Sequence, residues 1–183
     1  AVAAVGILKD SRQPTTVILV APASAGKSQA LNFLMPTADR KDPLAEHFYR
    51  SDQFTAASFV SHRADVSTSK LGRIDLLPRL KGKTLVTKEL APFFSGKHEE
   101  LVGRMSVLTA ILDGQGFTSD SGAHGRRGYA DPISFQWLGA TTPLSPEVLK
   151  VMAQLGPRML FYDVDRRRRS VDDLAALALH GTG

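Results

Sequence analysis

The sequence predicts an α/β fold in which helices cover both faces of a central, mostly parallel sheet of five strands. The first observation is the segment from Thr15 to Leu34, which passes from a β-branched apolar run through a small-residue loop into an apolar-periodic segment. The second is the recurrence of short apolar runs along the chain, with segments of helical spacing between them. Strands that alternate with helices are typical of layers built around a parallel sheet.

The strands are predicted at residues 16–21, 57–61, 84–88, 133–139 and 159–162. A short helix follows Gly26 and stops at Pro36, and residues 37–52 are predicted to be loop with a short helix. Residues 97–112 form a helix with apolar side chains at helical spacing, namely Leu101, Met105, Leu108, Ile111 and Leu112. A further helix starts after Ser145, which can cap it, with Pro146 at its first position, and runs to about Leu155.

The loop after the first strand has the residues of a phosphate-binding P-loop. It matches GxxxxGK[ST] except at the first position, where Ala21 replaces glycine. Backbone N–H groups of such a loop form a concave anion site, and the dipole of the following helix adds positive charge. We expect an exposed Lys27 to reach the β- and γ-phosphates and Ser28 to bind Mg²⁺; the alternative is a tight turn with a solvated lysine. The predicted phosphate site comprises Ala21, Pro22, Ala23, Ser24, Ala25, Gly26, Lys27 and Ser28.

A second apolar strand ends in an acid. The run from Thr84 to Thr87 is followed by Lys88 and Glu89. An acid at the carboxyl end of a strand can lie near a metal ion or orient an attacking water molecule. Glu89 is therefore a candidate Mg²⁺ ligand and catalytic residue, and the alternative is a solvated Lys–Glu pair at a strand end.

The chain has a formal net charge of +5. This excess favours an acidic partner such as nucleic acid, but ordinary solubility also accounts for it. The Gly-rich segment 115–131 is predicted to contain a hairpin whose exposed tip carries His124, Arg126 and Arg127. These side chains suit a DNA phosphate backbone, and the alternative is a solvated loop. The run from Arg166 to Arg169 is interpreted as a solvated linker, with phosphate contact as the alternative.

The 183 residues are predicted to form one domain, residues 1–165, followed by a basic run and a short helix in residues 166–183. A composition of 43% hydrophobic and 22% charged residues predicts a soluble globular domain. No apolar run approaches the roughly 20 residues of a membrane helix, so no membrane association is expected. The absence of cysteine excludes disulfides and thiolate chemistry and fits a cytoplasmic location.

These segments together resemble P-loop ATPases of phages and mobile elements, of the DNA primase/helicase-associated type. Besides the P-loop, the resemblance rests on LLPRLKGKTLVTKELAPFFSGKHEEL, LDG, WLGATTP and LGPRMLFY, and it covers residues 17–164. It implies a three-layer P-loop NTPase core like that of AAA+ proteins and superfamily 3 helicases, with ASCE-like strand order 5-1-4-3-2. It also implies ATP and Mg²⁺ as ligands.

The resemblance also implies roles for individual residues. Gly26, Lys27 and Ser28 would hold the phosphates and Mg²⁺, Glu89 would be the acid after the strand, Thr141 or Thr142 would sense the γ-phosphate, and Arg158 would be an arginine finger or a sensor arginine. Related motors carry a DNA-facing hairpin between the third and fourth strands, which is where Arg126 and Arg127 lie. The chain departs from the pattern of this family at Ala21, which replaces a glycine, and at Lys88, which replaces an aspartate. ATP binding is therefore a firmer expectation than ATP hydrolysis.

The sequence therefore predicts an ATPase that moves along or remodels DNA and that binds single strands independently of sequence. An arginine finger acts between subunits, so this function implies a homo-oligomer. One alternative is a small-molecule or nucleotide kinase with an arginine-rich lid. The other is an assembly switch that binds nucleotide without hydrolysing it, which Ala21 and Lys88 favour.

Overall fold

The computed structural model describes residues 14–36, 42–61, 68–122, 125–156 and 158–164. In these ranges the strands are β1 Thr15–Val20, β2 Phe48–Arg50, β3 Thr84–Thr87, β4 Phe117–Ser121, β5 Gly125–Tyr129, β6 Gln136–Thr141 and β7 Leu160–Asp163. The helices are α1 Lys27–Asn32, α2 Leu44–His47, α3 Ala56–Phe59, α4 Thr68–Ile74, α5 Leu76–Arg79, α6 His98–Leu112 and α7 Pro146–Leu155, and a 3₁₀ helix spans Ala91–Phe94.

Five strands form the large sheet, in the order β2-β3-β6-β1-β7, and every neighbouring pair is parallel. The central strand β1 pairs with β6, where Val20 lies opposite Thr141, and with β7, where Val17 lies opposite Leu160. Because all five strands run in the same direction, the loops that follow them lie along one edge, here called the carboxyl edge. The opposite edge is called the amino edge. The predicted α/β sheet of five strands is confirmed.

Apolar side chains cover both faces of this sheet. On one face, Ile18, Leu85 and Trp137 belong to a buried cluster that includes Leu108 of α6 and Val151 of α7. On the other face, strand residues pack with side chains from α1 and the turn after it: Leu31, Met35, Phe48, Val86, Leu138 and Ala140. Side chains alternate between the two faces of each strand, and every residue of β3 and β6 is buried, as expected for strands covered on both sides.

The predicted strand at residues 57–61 is wrong, because residues 56–59 form the helix α3. The backbone N–H of Thr55 donates to Ser58 Oγ over 3.1 Å, a capping-box contact that starts a helix. Phe59 is fully buried, and its ring packs edge-on against that of Phe54 with centroids 5.4 Å apart. The fifth strand of the sheet is β2, in the segment predicted to be loop and short helix, and its Phe48 lies opposite Thr84.

The other strand predictions are confirmed with shifts of one to three residues at their ends. Both long helices are also confirmed: α6 has the predicted apolar face buried, and Ser145 Oγ accepts the backbone N–H of Val148 at the start of α7. Among the helices of the described ranges, none combines the length and apolar character that a bilayer crossing needs. The predicted C-terminal helix and the Arg166 to Arg169 run lie outside the described residues.

The strands β4 and β5 form a separate antiparallel hairpin between α6 and β6. The predicted hairpin is therefore confirmed. Its strands approach closely at Gly128, where φ is +116° and an added Cβ would lie 2.0 Å from the carbonyl oxygen of Phe117. Only glycine fits there, which explains why the chain has glycine at position 128.

Candidate functional site at the carboxyl edge

The P-loop segment connects β1 to α1 at the carboxyl edge. The backbone N–H of Ala21 donates to the Thr141 carbonyl over 3.2 Å, so Ala21 continues the pairing of β1 with β6. Among the described loop residues, positive φ values occur at Ser24 (61°) and Gly26 (84°) and not at Ala21. Alanine at the first motif position therefore causes no backbone strain here, whereas the left-handed position that ends the loop is glycine.

Lys27 is 7% exposed, so the expectation of an exposed lysine is wrong. Its Nζ donates to the carbonyl oxygens of Ala21 (2.7 Å) and Pro22 (2.8 Å). The side chain thus folds back across the loop and holds its two ends together. An ammonium group has three donors, so the two carbonyls leave capacity for an anion seated on the loop.

Strand pairing brings the other predicted residues of this edge near the loop. Thr141 lies opposite Val20, and the strand that ends before Glu89 is the next one along the sheet from β6. The backbone N–H of Leu90 donates to the Ala140 carbonyl over 2.8 Å, which fixes the chain directly after Glu89 against β6. The P-loop segment therefore follows β1, Glu89 follows β3, and Thr141 ends β6, which lies between these two strands.

The exposed Glu89 makes a local contact: its Oε1 accepts the backbone N–H of Ala91 over 2.9 Å and so caps the 3₁₀ helix. It lines a cavity of about 230 Å³ together with Thr87 and Asp52. Asp52 follows β2 and accepts a hydrogen bond from Arg50 Nε over 2.8 Å. Sequence reasoning missed Asp52 because it missed β2; the signal was the aromatic pair Phe48-Tyr49 followed three residues later by an acid.

Thr141 is fully buried, and its hydroxyl oxygen has no hydrogen-bond partner among the described residues. A buried hydroxyl without a partner costs about 1–3 kcal/mol. Thr141 lines a cavity of about 320 Å³ between the 3₁₀ helix and the start of α7, and the half-buried Thr142 lines it as well. Of the two candidate sensor threonines, Thr141 is the one whose hydroxyl is fully buried without a partner among the described residues.

The residues present fit Mg²⁺ only as part of a nucleotide complex. Ser28 is exposed at the first turn of α1, and Glu89 is exposed at the end of β3. Within the described ranges there is no group of three or more acidic, histidine or cysteine side chains that could hold a metal ion alone. Mg²⁺ retains water and takes one or two protein ligands plus phosphate oxygens, which matches this sparse donor set.

Arg158 lies at the amino edge, away from the P-loop. It lies two residues before the start of β7, and its Nε donates to Asp113 Oδ1 over 2.6 Å. Arg158, Asp113 and Thr16 line one cavity at this edge. The structure therefore does not bring Arg158 together with the P-loop of its own chain, and a contact with a neighbouring subunit's nucleotide stays a prediction.

The two hairpin arginines differ in environment. Arg126 is exposed and lies opposite Asp120 on the neighbouring strand. Arg127 is half-buried, and its Nε atom is shielded from solvent without a hydrogen-bond partner. The prediction that both side chains are exposed is wrong for Arg127, because consecutive strand residues point to opposite faces. His124 lies outside the described residues.

A buried carboxylate ties the hairpin to the helices beneath it. Asp75, between α4 and α5, is 1% exposed and accepts hydrogen bonds from the Tyr129 hydroxyl (2.9 Å) and from the Ser61 backbone N–H (3.1 Å). Burial, and then the hydrogen bond to and charge of Asp75, raise the pKa of Tyr129 well above its usual 10.0. Sequence reasoning missed this pair, since nothing local links residues 54 positions apart.

No protein-family model matches this chain, and no curated protein sequence is significantly similar to it.

Proposed function

We propose that this chain binds ATP with Mg²⁺ at the carboxyl edge and hydrolyses it. The observation that carries the proposal is the joint position of Lys27, Glu89 and Thr141 at the ends of three adjacent parallel strands. Crevices at the carboxyl ends of parallel strands are where open α/β sheets bind ligands. Numbered by chain order within the large sheet, the strands lie 5-1-4-3-2, which is the order that the resemblance to AAA+ and superfamily 3 proteins implies.

In the proposed mechanism the loop N–H groups and Lys27 neutralise the phosphates. Lys27 exchanges its hydrogen bonds to the Ala21 and Pro22 carbonyls for bonds to phosphate oxygens. Ser28 would offer its hydroxyl to Mg²⁺, and the ion would supply positive charge that offsets the charge of the phosphates. Glu89 orients the attacking water, and the unpartnered hydroxyl of Thr141 donates to the γ-phosphate.

DNA is the proposed partner of this ATPase. The overall charge of +5 and the exposed Arg126 support it. The described part of the hairpin segment contributes little net charge, because Asp120 and Asp131 offset Arg126 and Arg127. DNA contact by a homo-oligomer of this chain would therefore depend on individual side chains such as Arg126, not on the net charge of the hairpin.

A nucleotide-dependent switch without hydrolysis is the second candidate. The observation in its favour is Lys88, a half-buried cation directly before Glu89, where the related ATPases have an aspartate. A cation there cannot bind Mg²⁺ and leaves Glu89 as the nearest carboxylate of that strand end. ATP binding is common to both candidates, so turnover separates them.

Calorimetric ATP titration and steady-state turnover, each with and without single-stranded DNA, test the proposal. We expect Mg²⁺-dependent binding and slow turnover that DNA increases. Binding without turnover favours the switch, and turnover that requires a small phosphoryl acceptor favours a kinase. Absence of ATP binding contradicts the P-loop assignment altogether.

A further inference from the structure

One end of the large sheet has an apolar face that the described residues leave exposed. The side chains of Leu160 and Tyr162, in the edge strand β7, are 63% and 64% exposed. They lie opposite Val17 and Leu19 of β1, which are only partly buried. Opposite residues of neighbouring strands share a face of the sheet, so these four side chains form one patch, here called the β1–β7 face. It lies on the same side as α1, since Val17 and Leu19 pack against the cluster that contains Leu31.

The helix α1 covers only the other part of this side. The buried cluster that includes α1 draws its strand residues from β2, β3 and β6, and none of its described members belongs to β7. On the opposite side of the sheet, Phe161 of β7 does pack against the large buried cluster. Parallel sheets are covered on both faces, because apolar strand residues are unfavourable in water. The β1–β7 face therefore requires a further apolar element.

The chain continues from this end of the sheet into residues 165–183, which lie outside the described residues. The backbone N–H of Val164 donates to the Val20 carbonyl over 2.8 Å, so the chain leaves the sheet at the carboxyl edge, beside the P-loop segment. Ser170 is followed three residues later by Asp173, which is the pattern of a capping box. This pattern supports the predicted start of a helix directly after Ser170.

The sequence of the predicted helix, residues 171–179, has one apolar side. Its apolar residues recur at helical spacing and form a stripe: Val171, Leu174, Ala175 and Ala178. The opposite side of the same helical pattern carries Asp172, Asp173 and His180. A helix of nine residues is about 13 Å long, and a strand of four residues such as β7 has about the same length. The predicted helix thus matches β7 in length.

We propose that residues 171–179 form a helix that runs back along β7, antiparallel to the strand, and covers the β1–β7 face. In this arrangement the apolar stripe meets the exposed strand side chains, and Asp172 and Asp173 face solvent. The segment is favoured over a second copy of the chain because a short connection to the end of β7 gives it a high effective concentration at this face. The proposal requires neither ATP nor DNA and is independent of the proposed function.

The chain has no cysteine, so pairs of introduced cysteines report proximity without background. In the test, Leu160→Cys is combined with Ala178→Cys in the full chain, because an antiparallel helix brings these positions to the same end of the face. The control combines Leu149→Cys with Ala178→Cys. Leu149 is 52% exposed on α7, which packs on the other side of the sheet. Under mild oxidation we expect the first pair to form a disulfide within one chain about tenfold faster than the control, measured by thiol titration and mass spectrometry of the linked peptides.

A third substitution tests the apolar stripe itself. Leu174→Asp places a charge on the stripe, and we expect the disulfide of the first pair to form at the rate of the control. Asp172→Asn, on the polar side, should leave the rate of the first pair unchanged. An unchanged rate with Leu174→Asp would overturn the proposed packing.

Every other outcome of the cysteine experiment also overturns the proposal. Equal rates in the test and control pairs mean that the segment has no fixed position, and no disulfide in either pair means that it lies elsewhere. A disulfide between two chains means that a second copy covers the face. A further pair, Leu160→Cys with Val5→Cys, tests the apolar residues near the start of the chain. If only this pair forms a disulfide within one chain, those residues cover the face instead.

Discussion

Neighbouring candidate residues share one loop at the carboxyl edge of the large sheet, whereas in the β4–β5 hairpin they lie along one strand. At the carboxyl edge, Gly26, Lys27 and Ser28 follow one another at the junction of loop and helix, where a left-handed glycine leads the chain into α1. In the hairpin, Arg126 and Arg127 lie on opposite faces, because strand side chains alternate. Consecutive residues of a loop motif can thus be assigned to one site. Two consecutive charged residues of a strand lie on opposite faces, so each needs its own functional assignment.

Removal of the lysine side chain is expected to have the largest effect. Lys27→Ala should weaken ATP binding about a hundredfold, because a charge-assisted bond to phosphate contributes up to about 3 kcal/mol. It also removes the two bonds that close the loop, so a modest loss of stability should accompany it. Calorimetry measures the affinity, and Lys81→Ala, an exposed turn lysine, is the matched control. Unchanged affinity would show that the loop does not bind nucleotide.

Glu89→Gln should retain ATP binding and lower turnover by about a hundredfold or more, the usual contribution of a positioned base. The amide oxygen can still accept the Ala91 N–H, so the 3₁₀ helix should remain intact. Turnover is measured under saturating ATP, beside Glu99→Gln, which changes an exposed carboxylate in the first turn of α6. If Glu89→Gln hydrolyses ATP at the wild-type rate, Asp52 becomes the carboxylate to test.

In the hairpin, the change to test is Tyr129→Phe, which removes the hydroxyl that donates to the buried carboxylate of Asp75. It leaves Asp75 short of a donor and should cost about 1–3 kcal/mol of unfolding free energy. The raised pKa of Tyr129 means that the unfolded chain loses this proton near pH 10.0 while the folded chain keeps it. The wild type should therefore lose stability as the pH rises above 10.0 toward the folded pKa, and the variant should lack this component.

Chemical denaturation at pH 8 and above pH 10 measures both effects of Tyr129→Phe. Tyr162→Phe serves as the control, since that side chain is 64% exposed at the edge strand β7. An identical pH dependence in Tyr129→Phe and the wild type would mean that the hairpin is not fixed to Asp75 in solution.

The large sheet and the loop between β1 and α1 could be predicted because both depend on local pattern. Apolar runs buried on two faces identify parallel strands, and the order Gly26-Lys27-Ser28 predicts a phosphate-binding loop, which stays a prediction. The strand β2 was missed because three residues carry too little periodicity, and α3 was mistaken for a strand although Thr55 and Ser58 form a capping-box contact. The contact between the hairpin and Asp75 could not be predicted, since Asp75 and Tyr129 meet only through tertiary packing.

The smallest effect is expected for Arg158 at the amino edge, which lies outside both the carboxyl edge and the β4–β5 hairpin. Arg158 and Asp113 are 42% and 44% exposed in their side chains, and an exposed ion pair contributes at most about 1 kcal/mol. Arg158→Ala should therefore leave stability and the turnover of the isolated chain almost unchanged.

A role for Arg158 as an arginine finger would appear only in an assembly, where its amino edge would face a neighbour's carboxyl edge. Mixtures of Arg158→Ala with Lys27→Ala test this, because each variant supplies the part that the other lacks. Activity in the mixture above that of either variant alone supports a finger between subunits, whereas simple dilution contradicts it.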